Sequence, residues 1–414
     1  MSGIRESGKQ SLAALTCLAL VLALVGCGSN DGDPFGDGDD VFRPIPPQGY
    51  PKPTQVSDTL EFMGVTTSHH HSCALQVDGR AWCWGSNEHG QLGSTAPMQR
   101  CAGDNFPCSG TPLAVDGGKS FVRLAASIRH TCGIDAAGQV WCWGYGIGGQ
   151  LGDGRRENST VPVAVAGGHT FVTIAAPVAG YATCALTNQG KPWCWGPNID
   201  GVFGNGTRDG SAVPVPVAID QAFVSIGVGQ QHACGVTTTG DAYCWGLNWY
   251  GNLGVGSAGG EGGFSGSTTP VLVSGGLKFV QIAAGGSHTC ALADGGKAYC
   301  WGAGHLTGTD AASYVSMPVA VEGGATYLAL ITGFSHTCAL RAGGQIDCWG
   351  ENYVGGLGNG TFTASATPVR VNSPETFTDL AAGGGFTCAV SSERAAWCWG
   401  ANPWGGVGQP PDDP

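Results

Sequence analysis

The chain has 414 residues, of which 73 are glycine, 18 are cysteine and 13 are tryptophan, and only 12% are charged. Glycine at this level disfavours long helices, because each interior glycine costs helix stability, so an ordinary helical enzyme is a poor match. The 18 Lys and Arg residues against 30 Asp and Glu residues give a net charge of −12. This balance argues against a basic patch for nucleic acid, and no nucleic-acid partner is expected.

The N-terminus has the form of a secretory signal. Two basic residues precede an uncharged apolar run over 11–26, which is shorter than the ~20 residues of a permanent membrane span. The segment 24–27 resembles the lipobox of bacterial lipoproteins, whose cysteine is diacylated and becomes the mature N-terminus. We therefore predict a signal peptide over 1–26, lipidation of Cys27 and, because Gly28 follows, sorting to the outer membrane. The alternative is a plain secretory peptide with an incidental cysteine.

The segment that follows is rich in Gly, Asp and Pro and poor in apolar residues. Such a composition is typical of a solvated linker. We predict a flexible tether over 27–52 between the lipid and a folded domain over 53–414.

One pattern recurs seven times from residue 53 onward, and the cysteines show it best. They form seven pairs, each separated by ten positions. Each pair flanks a turn signal, which predicts a β-hairpin with a three-residue loop. In six repeats this loop ends in glycine, which accepts a left-handed conformation, whereas the seventh has Arg394, so its turn is expected to be strained or of another type. The pairs are Cys73 and Cys83, Cys132 and Cys142, Cys184 and Cys194, Cys234 and Cys244, Cys290 and Cys300, Cys338 and Cys348, and Cys388 and Cys398.

Directly opposed cysteines on antiparallel strands lie within reach of a disulfide bond. Zinc is the competing interpretation, but zinc sites prefer closer spacings, and an exported chain meets an oxidising compartment. We predict one disulfide in each hairpin. With Cys17 removed in the signal and Cys27 lipidated, Cys101 and Cys108 remain and are expected to pair with each other.

Eleven of the 13 tryptophans lie in the second strands of these hairpins. Alternation along a strand puts the cysteine on one face of the sheet and the flanking tryptophans on the other, so both faces have to be buried. Stacked four-stranded sheets around an axis satisfy this, and the predicted fold is an all-β, seven-bladed propeller. An open β-solenoid is the alternative. Since the last repeat lacks a fourth strand, we expect the first strand, from Pro53, to complete it.

The repeated unit resembles that of the regulator-of-chromosome-condensation family, which consists of seven-bladed propellers. The resemblance rests on the Trp-Gly pair that ends each hairpin and on the signature that follows it at 90–93, 149–152 and 251–254, degraded to Gly-Val-Phe-Gly at 201–204. Members include a nucleotide exchange factor for a nuclear GTPase and a secreted bacterial inhibitor of β-lactamases. The resemblance therefore implies the fold without selecting an activity.

Histidine stands two residues before the first cysteine in five repeats. A ring of histidines could bind a metal or an anion, but a histidine bonded to backbone within each blade is the simpler interpretation. Neither a metal nor a cofactor is expected. The five positions are His71, His130, His232, His288 and His336.

The segments after each Trp-Gly pair vary in length, so their tips are expected to project from one face and to carry recognition. Trp249, Tyr250 and Trp404 lie outside the hairpin motif, and aromatic residues dominate binding hot spots; packing beneath the loops is their alternative. The candidate partner-binding residues are Asp104, Asn105, Phe106, Trp249, Tyr250, Phe264 and Trp404.

Common catalytic motifs such as H-E-x-x-H, G-x-S-x-G and the P-loop do not occur in the sequence. We therefore predict a monomeric, non-catalytic propeller in the bacterial cell envelope that binds an unidentified protein through one loop-rich face. Its contact with the membrane is expected through the lipid alone. Two alternatives are a guanine-nucleotide exchange factor like the family's namesake, which export disfavours, and a carbohydrate-active propeller enzyme.

Overall fold

The computed structural model describes residues 49–101, 106–259, 265–311 and 313–411. They form seven antiparallel sheets, one for each sequence repeat. In each sheet, or blade, four strands pair in the order A, B, C and D. Several sequence predictions fall outside the described residues: the signal peptide, Cys27, the tether up to residue 48, Asp104, Asn105 and Phe264.

The strands are numbered in chain order, and β1 (Gly49–Gln55) belongs to blade 7. Blade 1 holds β2 (Gly64–Thr67), β3 (His71–Leu75), β4 (Ala81–Ser86), the two-residue β5 (Gln99–Arg100) and β6 (Pro107–Ala114); blade 2 holds β7 (Arg123–Ala126), β8 (His130–Ile134), β9 (Val140–Gly144) and β10 (Ser159–Ala164); blade 3 holds β11 (Phe171–Ala175), β12 (Thr183–Thr187), β13 (Pro192–Gly196) and β14 (Ser211–Pro216).

The remaining blades follow the same plan. Blade 4 holds β15 (Phe223–Val228), β16 (His232–Thr237), β17 (Ala242–Leu247) and β18 (Gly266–Leu272); blade 5 holds β19 (Phe279–Ala284), β20 (His288–Ala293), β21 (Ala298–Gly302), a 3₁₀ turn (Gly304–Leu306) and β22 (Val315–Ala320); blade 6 holds β23 (Ala329–Thr332), β24 (His336–Leu340), β25 (Ile346–Gly350) and β26 (Ser365–Arg370); blade 7 holds β27 (Phe377–Ala382), β28 (Phe386–Ser391) and β29 (Ala396–Ala401), with β1 as its fourth strand. Within the described ranges, no helix is long and apolar enough to span a bilayer.

The sheets close into a ring. The A strand of each blade contacts the A strands of both neighbours, and β27 of blade 7 contacts β2 of blade 1. β1 pairs antiparallel with β29, with Gln55 opposite Trp397. The predicted seven-bladed propeller, completed by its first strand, is thus confirmed. β1 begins at Gly49, slightly before the predicted domain boundary at Pro53.

The cysteine hairpins form as predicted. In every blade the two cysteines lie directly opposite each other, as Cys73 and Cys83 do on β3 and β4. All seven pairs are disulfide-bonded, with Cα–Cα distances of 4.0 to 4.1 Å. Cys101 and Cys108 are bonded to each other, with their Cα atoms 5.8 Å apart. The expectation of one disulfide per blade hairpin is confirmed.

The blades pack through an alternation of sulfur and indole. Trp143 and Phe121 of blade 2 pack on the disulfide between Cys73 and Cys83 of blade 1, and the same arrangement recurs around the ring. Each of these tryptophans is fully buried, and its Nε1 donates a hydrogen bond of 2.6 to 3.1 Å to a carbonyl of the preceding blade. Both faces of every sheet are therefore covered, as the cysteine and tryptophan pattern requires. The seven are Trp84, Trp143, Trp195, Trp245, Trp301, Trp349 and Trp399.

The hairpin turn of blade 7 departs from the others at one residue. Six turns end in a glycine with φ between +74° and +85°, whereas Arg394 adopts φ +64°. The sequence predicted either a strained turn or a turn of another type at this position. In the structure Arg394 keeps the left-handed conformation of the six glycines. Because a Cβ clashes in this region, we expect the arginine to cost stability.

Arg394→Gly is expected to raise the free energy of unfolding by about 1 kcal/mol, because it removes the left-handed strain. Urea unfolding of the full chain measures this. Gly240→Arg places the same side chain at the matching turn of blade 4, where a Cβ would lie 3.1 Å from Lys278 Cβ, and is expected to lower stability. An Arg394→Gly variant no more stable than the parent protein would contradict the assignment of strain.

A carboxylate bridges the seam where the ring closes. Asp379 Oδ2 in blade 7 accepts a hydrogen bond of 2.9 Å from the backbone N–H of Val65 in blade 1. Burial raises the pKa of this carboxyl group to about 6, although the hydrogen bonds from Val65 and Leu380 oppose the shift. The seam thus holds an ionised group in surroundings that disfavour its charge near neutral pH.

Asp379→Asn is expected to stabilise the protein near neutral pH by up to about 3 kcal/mol, because the amide oxygen still accepts the Val65 N–H without a buried charge. The native pKa is about 6 and the ordinary value is 3.8, so the folded state binds the proton more tightly and the penalty disappears as the pH falls between these values. Asp379→Ala, which leaves the N–H unpaired, is expected to cost about 1 to 3 kcal/mol. Thermal unfolding at both ends of this window checks the sign, and equal stability of Asp379→Asn and the parent protein near neutral pH would refute it.

Candidate interaction face

The strand order gives the ring two different faces. A–B turns and C–D loops lie on one face, and B–C turns and D–A connections lie on the other, because each strand reverses the direction of the one before it. We call them the loop face and the turn face. The described parts of the C to D connections on the loop face are 87–101 with 106, 145–158, 197–210, 248–259 with 265, 303–311 with 313–314, and 351–364, and blade 7 adds 402–411.

Exposed aromatic side chains are confined to the loop face. Among the described residues six aromatic side chains are strongly exposed, and all six belong to C–D loops. The large exposed side chains of the turn face are aliphatic, such as Val280 and Leu328. The six aromatic residues are Phe106, Trp249, Tyr250, Tyr314, Tyr353 and Phe362.

Four of the exposed apolar residues share one repeat position. Ile147, Ile199, Trp249 and Tyr353 each follow the buried tryptophan of their blade by four residues. Their exposed fractions range from 45% to 67%. The repeat therefore presents an apolar side chain at the same height on blades 2, 3, 4 and 6, and blade 5 presents the exposed His305 there.

The predicted partner-binding residues divide into three groups. Trp249 and Tyr250 are exposed, and so is Phe106 beside the disulfide of Cys108. Trp404 is half-buried, and its ring lies 4.0 Å from that of His70, which matches the packing alternative. Asp104, Asn105 and Phe264 lie outside the described residues.

Three aromatic residues of this face were missed by the sequence analysis: Tyr314, Tyr353 and Phe362. Their loops are of ordinary length, so no insertion draws attention to them. Alignment of the seven repeats on the buried tryptophan would have found Tyr353, because it occupies the position of Trp249. The same alignment pairs Tyr314 with Phe362, because each follows the buried tryptophan of its blade by thirteen residues.

The recurring histidines link neighbouring blades rather than bonding to backbone within a blade. Each Nε2 lies 2.7 to 2.8 Å from a threonine Oγ1 of the next blade. In three cases that hydroxyl donates onward to a carbonyl oxygen, so the imidazole Nε2 donates to it. The pairs are His71 and Thr131, His130 and Thr183, His232 and Thr289, His288 and Thr337, and His336 and Thr387.

These histidines are neutral in the folded protein. Burial lowers the pKa of four of them to about 3 and that of His336 to about 4. Within the described part of the chain, no group of three His, Cys, Asp or Glu side chains is arranged to hold a metal ion. The histidines therefore serve the contact between blades.

Acidification is expected to destabilise the protein at pH values well above the native pKa of these histidines. An unfolded histidine binds a proton near pH 6.5, whereas His288 does so only near pH 3. Between these two pH values the unfolded state therefore holds more protons than the folded state, and the free energy of unfolding decreases as the pH is lowered. His288→Gln keeps a donor and does not titrate. It is expected to reduce the slope of stability against pH by up to about 1.4 kcal/mol per pH unit, measured by urea unfolding. An unchanged slope would show that His288 is accessible to protons in the folded state.

Blade number, strand order and repeat together define this protein as a seven-bladed β-propeller of tandem repeats. A sequence model of the RCC1-like domain matches residues 23–309, and models of the regulator of chromosome condensation (RCC1) repeat match 332–355 and 344–390. The chain belongs to the RCC1-like domain family.

The curated relatives match this chain over only part of their own length. The chain is 28% identical to the human E3 ubiquitin-protein ligase HERC2 over 246 residues, which are 56% of this chain and 5% of HERC2. It is 30% identical to the ultraviolet-B receptor UVR8 of Arabidopsis thaliana over 214 residues, which are 51% of this chain and 46% of UVR8. The similarity thus covers a small part of the ligase and about half of the receptor.

Solved structures show the same architecture. Prp20p from Saccharomyces cerevisiae, whose structure was reported with its binding properties to Gsp1p and histones, superposes with a TM-score of 0.67 at 20% identity. The similarity covers 81% of this chain and 81% of that one. At this level of identity the likeness shows the fold.

Proposed function

We propose that this protein is a non-catalytic interaction module that binds a partner protein through its loop face. The observation that carries the proposal is the confinement of all six strongly exposed aromatic side chains of the described residues to that face. Aromatic side chains dominate binding hot spots, since they bury a large area at a small cost in conformational entropy. Prp20p, described with binding to Gsp1p and histones, is a precedent for protein binding by this architecture.

The proposal includes a place outside the cytoplasm, with the propeller anchored to the outer membrane through a lipid on Cys27. Its support is the secretory form of the N-terminus and the set of disulfides, which persist in oxidising compartments. Nucleic acid is not the partner we propose, because the chain carries a net charge of −12.

Photocrosslinking in intact cells tests the binding face. A photoreactive amino acid at Tyr353 is expected to capture a discrete protein, whereas the same group at Leu328 is not. The two positions form a matched pair, because Tyr353 is 67% exposed on the loop face and Leu328 is 66% exposed on the turn face. Capture from Leu328 alone, or recovery of glycans in place of a protein from Tyr353, would overturn the proposal.

Affinity for the captured partner gives a second measurement. Trp249→Ala is expected to weaken binding by at least about 2 kcal/mol, the scale of a hot spot. Val280→Ala on the turn face is the control, because Val280 and Trp249 are both 54% exposed. Equal affinity of the Trp249→Ala variant and the parent protein would remove Trp249 from the interface.

Cys27→Ser tests the anchor. The variant is expected to incorporate no labelled fatty acid and to leave the membrane fraction, because the acylated thiol has been removed. The parent protein serves as the positive control. A Cys27→Ser variant that remains with membranes, or a parent protein that takes up no label, would contradict lipidation at this residue.

A further inference from the structure

A cavity of about 390 Å³ opens at the outer side of blade 3, at its turn-face end. Its walls come from the B–C turn of this blade, from β13 and from the D–A connections on both sides. The volume lies within the range of roughly 300 to 1,000 Å³ that is typical of small-molecule sites. Its lining includes His169, Gln189, Lys191, Trp193 and Ile219.

The cavity contains part of an indole ring. Trp193 is half-buried and lines the cavity, and the ring of His169 lies 4.0 Å from it. Among the described residues none accepts a hydrogen bond from Trp193 Nε1. The site thus offers an apolar platform together with an indole donor.

The corresponding tryptophan of blade 2 is closed off. Lys119 Nζ lies 3.7 Å from the centroid of the Trp141 ring, and Trp141 Nε1 donates a 2.9 Å hydrogen bond to Asp135. The indole of Trp82 in blade 1 likewise donates to Gln76. In blades 1 and 2 the indole N–H is therefore occupied, whereas that of Trp193 is not.

Two exposed polar side chains stand at the rim, one on each side of Gly190. Gln189 supplies an amide donor and acceptor, and Lys191 supplies ammonium donors. One of these donors bonds to the carbonyl oxygen of Asp220, which leaves the other two for a ligand. Thr187 holds the turn in place by accepting a 3.1 Å hydrogen bond from the Lys191 backbone N–H.

We propose that this cavity binds a neutral saccharide, of one or two pyranose rings. The apolar C–H face of a pyranose matches a single aromatic platform, and its hydroxyl groups match a rim of amide and ammonium donors. A nucleotide fits less well, because His169 already covers one side of the indole and only one ammonium is present for a phosphate.

Titration of the full chain with cellobiose, maltose and diacetylchitobiose tests the proposal, with the tryptophan indole N–H signals read by NMR. At least one disaccharide is expected to shift the Trp193 signal saturably. Trp193→Ala is expected to abolish binding, and Gln189→Ala and Lys191→Ala are each expected to weaken it by about threefold to tenfold, the scale of one hydrogen bond. Trp141→Phe is the matched control and is expected to bind as the parent protein does.

The exposed rim variants keep the test independent of any folding defect in Trp193→Ala. Absence of a saturable shift with all three disaccharides overturns the proposal. So does unchanged affinity in both rim variants, or an equal shift of the Trp193 signal by adenosine monophosphate. The cavity lies at the turn-face end of the blade, so none of these outcomes bears on the partner protein of the loop face.

Discussion

The contact between the buried tryptophan of one blade and the disulfide of the blade before it is the interaction on which the whole ring depends. The indole covers the sulfur atoms, and its Nε1 hydrogen-bonds to the same neighbouring blade. Each sheet is apolar on both faces, so no blade is stable in water without two neighbours. A closed ring is the arrangement in which every blade has both, and β1 supplies the pairing that closes it.

The histidine and threonine links are missing at two interfaces, and both are compensated by apolar packing. Between blades 3 and 4, Ala182 and Ala233 replace the pair, and Phe203 lies fully buried in the same cluster. Phe203 belongs to the degraded signature, so this departure and the lost histidine occur together. Between blades 7 and 1, Phe386 replaces histidine, while Ser72 stands at the threonine position and keeps the hydrogen bond to a carbonyl of the preceding blade, here that of Gly406.

Features that depend on short spacings could be predicted from the sequence. The hairpins, their disulfides and the fourth strand of blade 7 follow from the interval of ten between cysteines and from alternation along a strand. The histidine links could not be predicted, since the threonine partners lie 49 to 60 residues away on the next blade. Within the candidate site, Trp249 and Tyr250 were found because they interrupt the motif, whereas Trp404 packs on His70 and Tyr353 was missed.

The pairing of β1 with β29 sets the order in which the molecule can fold. β1 is made before the strands of blades 1 to 6, but its partner β29 is made after them. Blades 1 to 6 are built from contiguous sequence and can form during synthesis, whereas blade 7 is complete only after its own hairpin has been made. The slowest step of folding is therefore expected to be this long-range pairing, since contacts of high sequence separation form late.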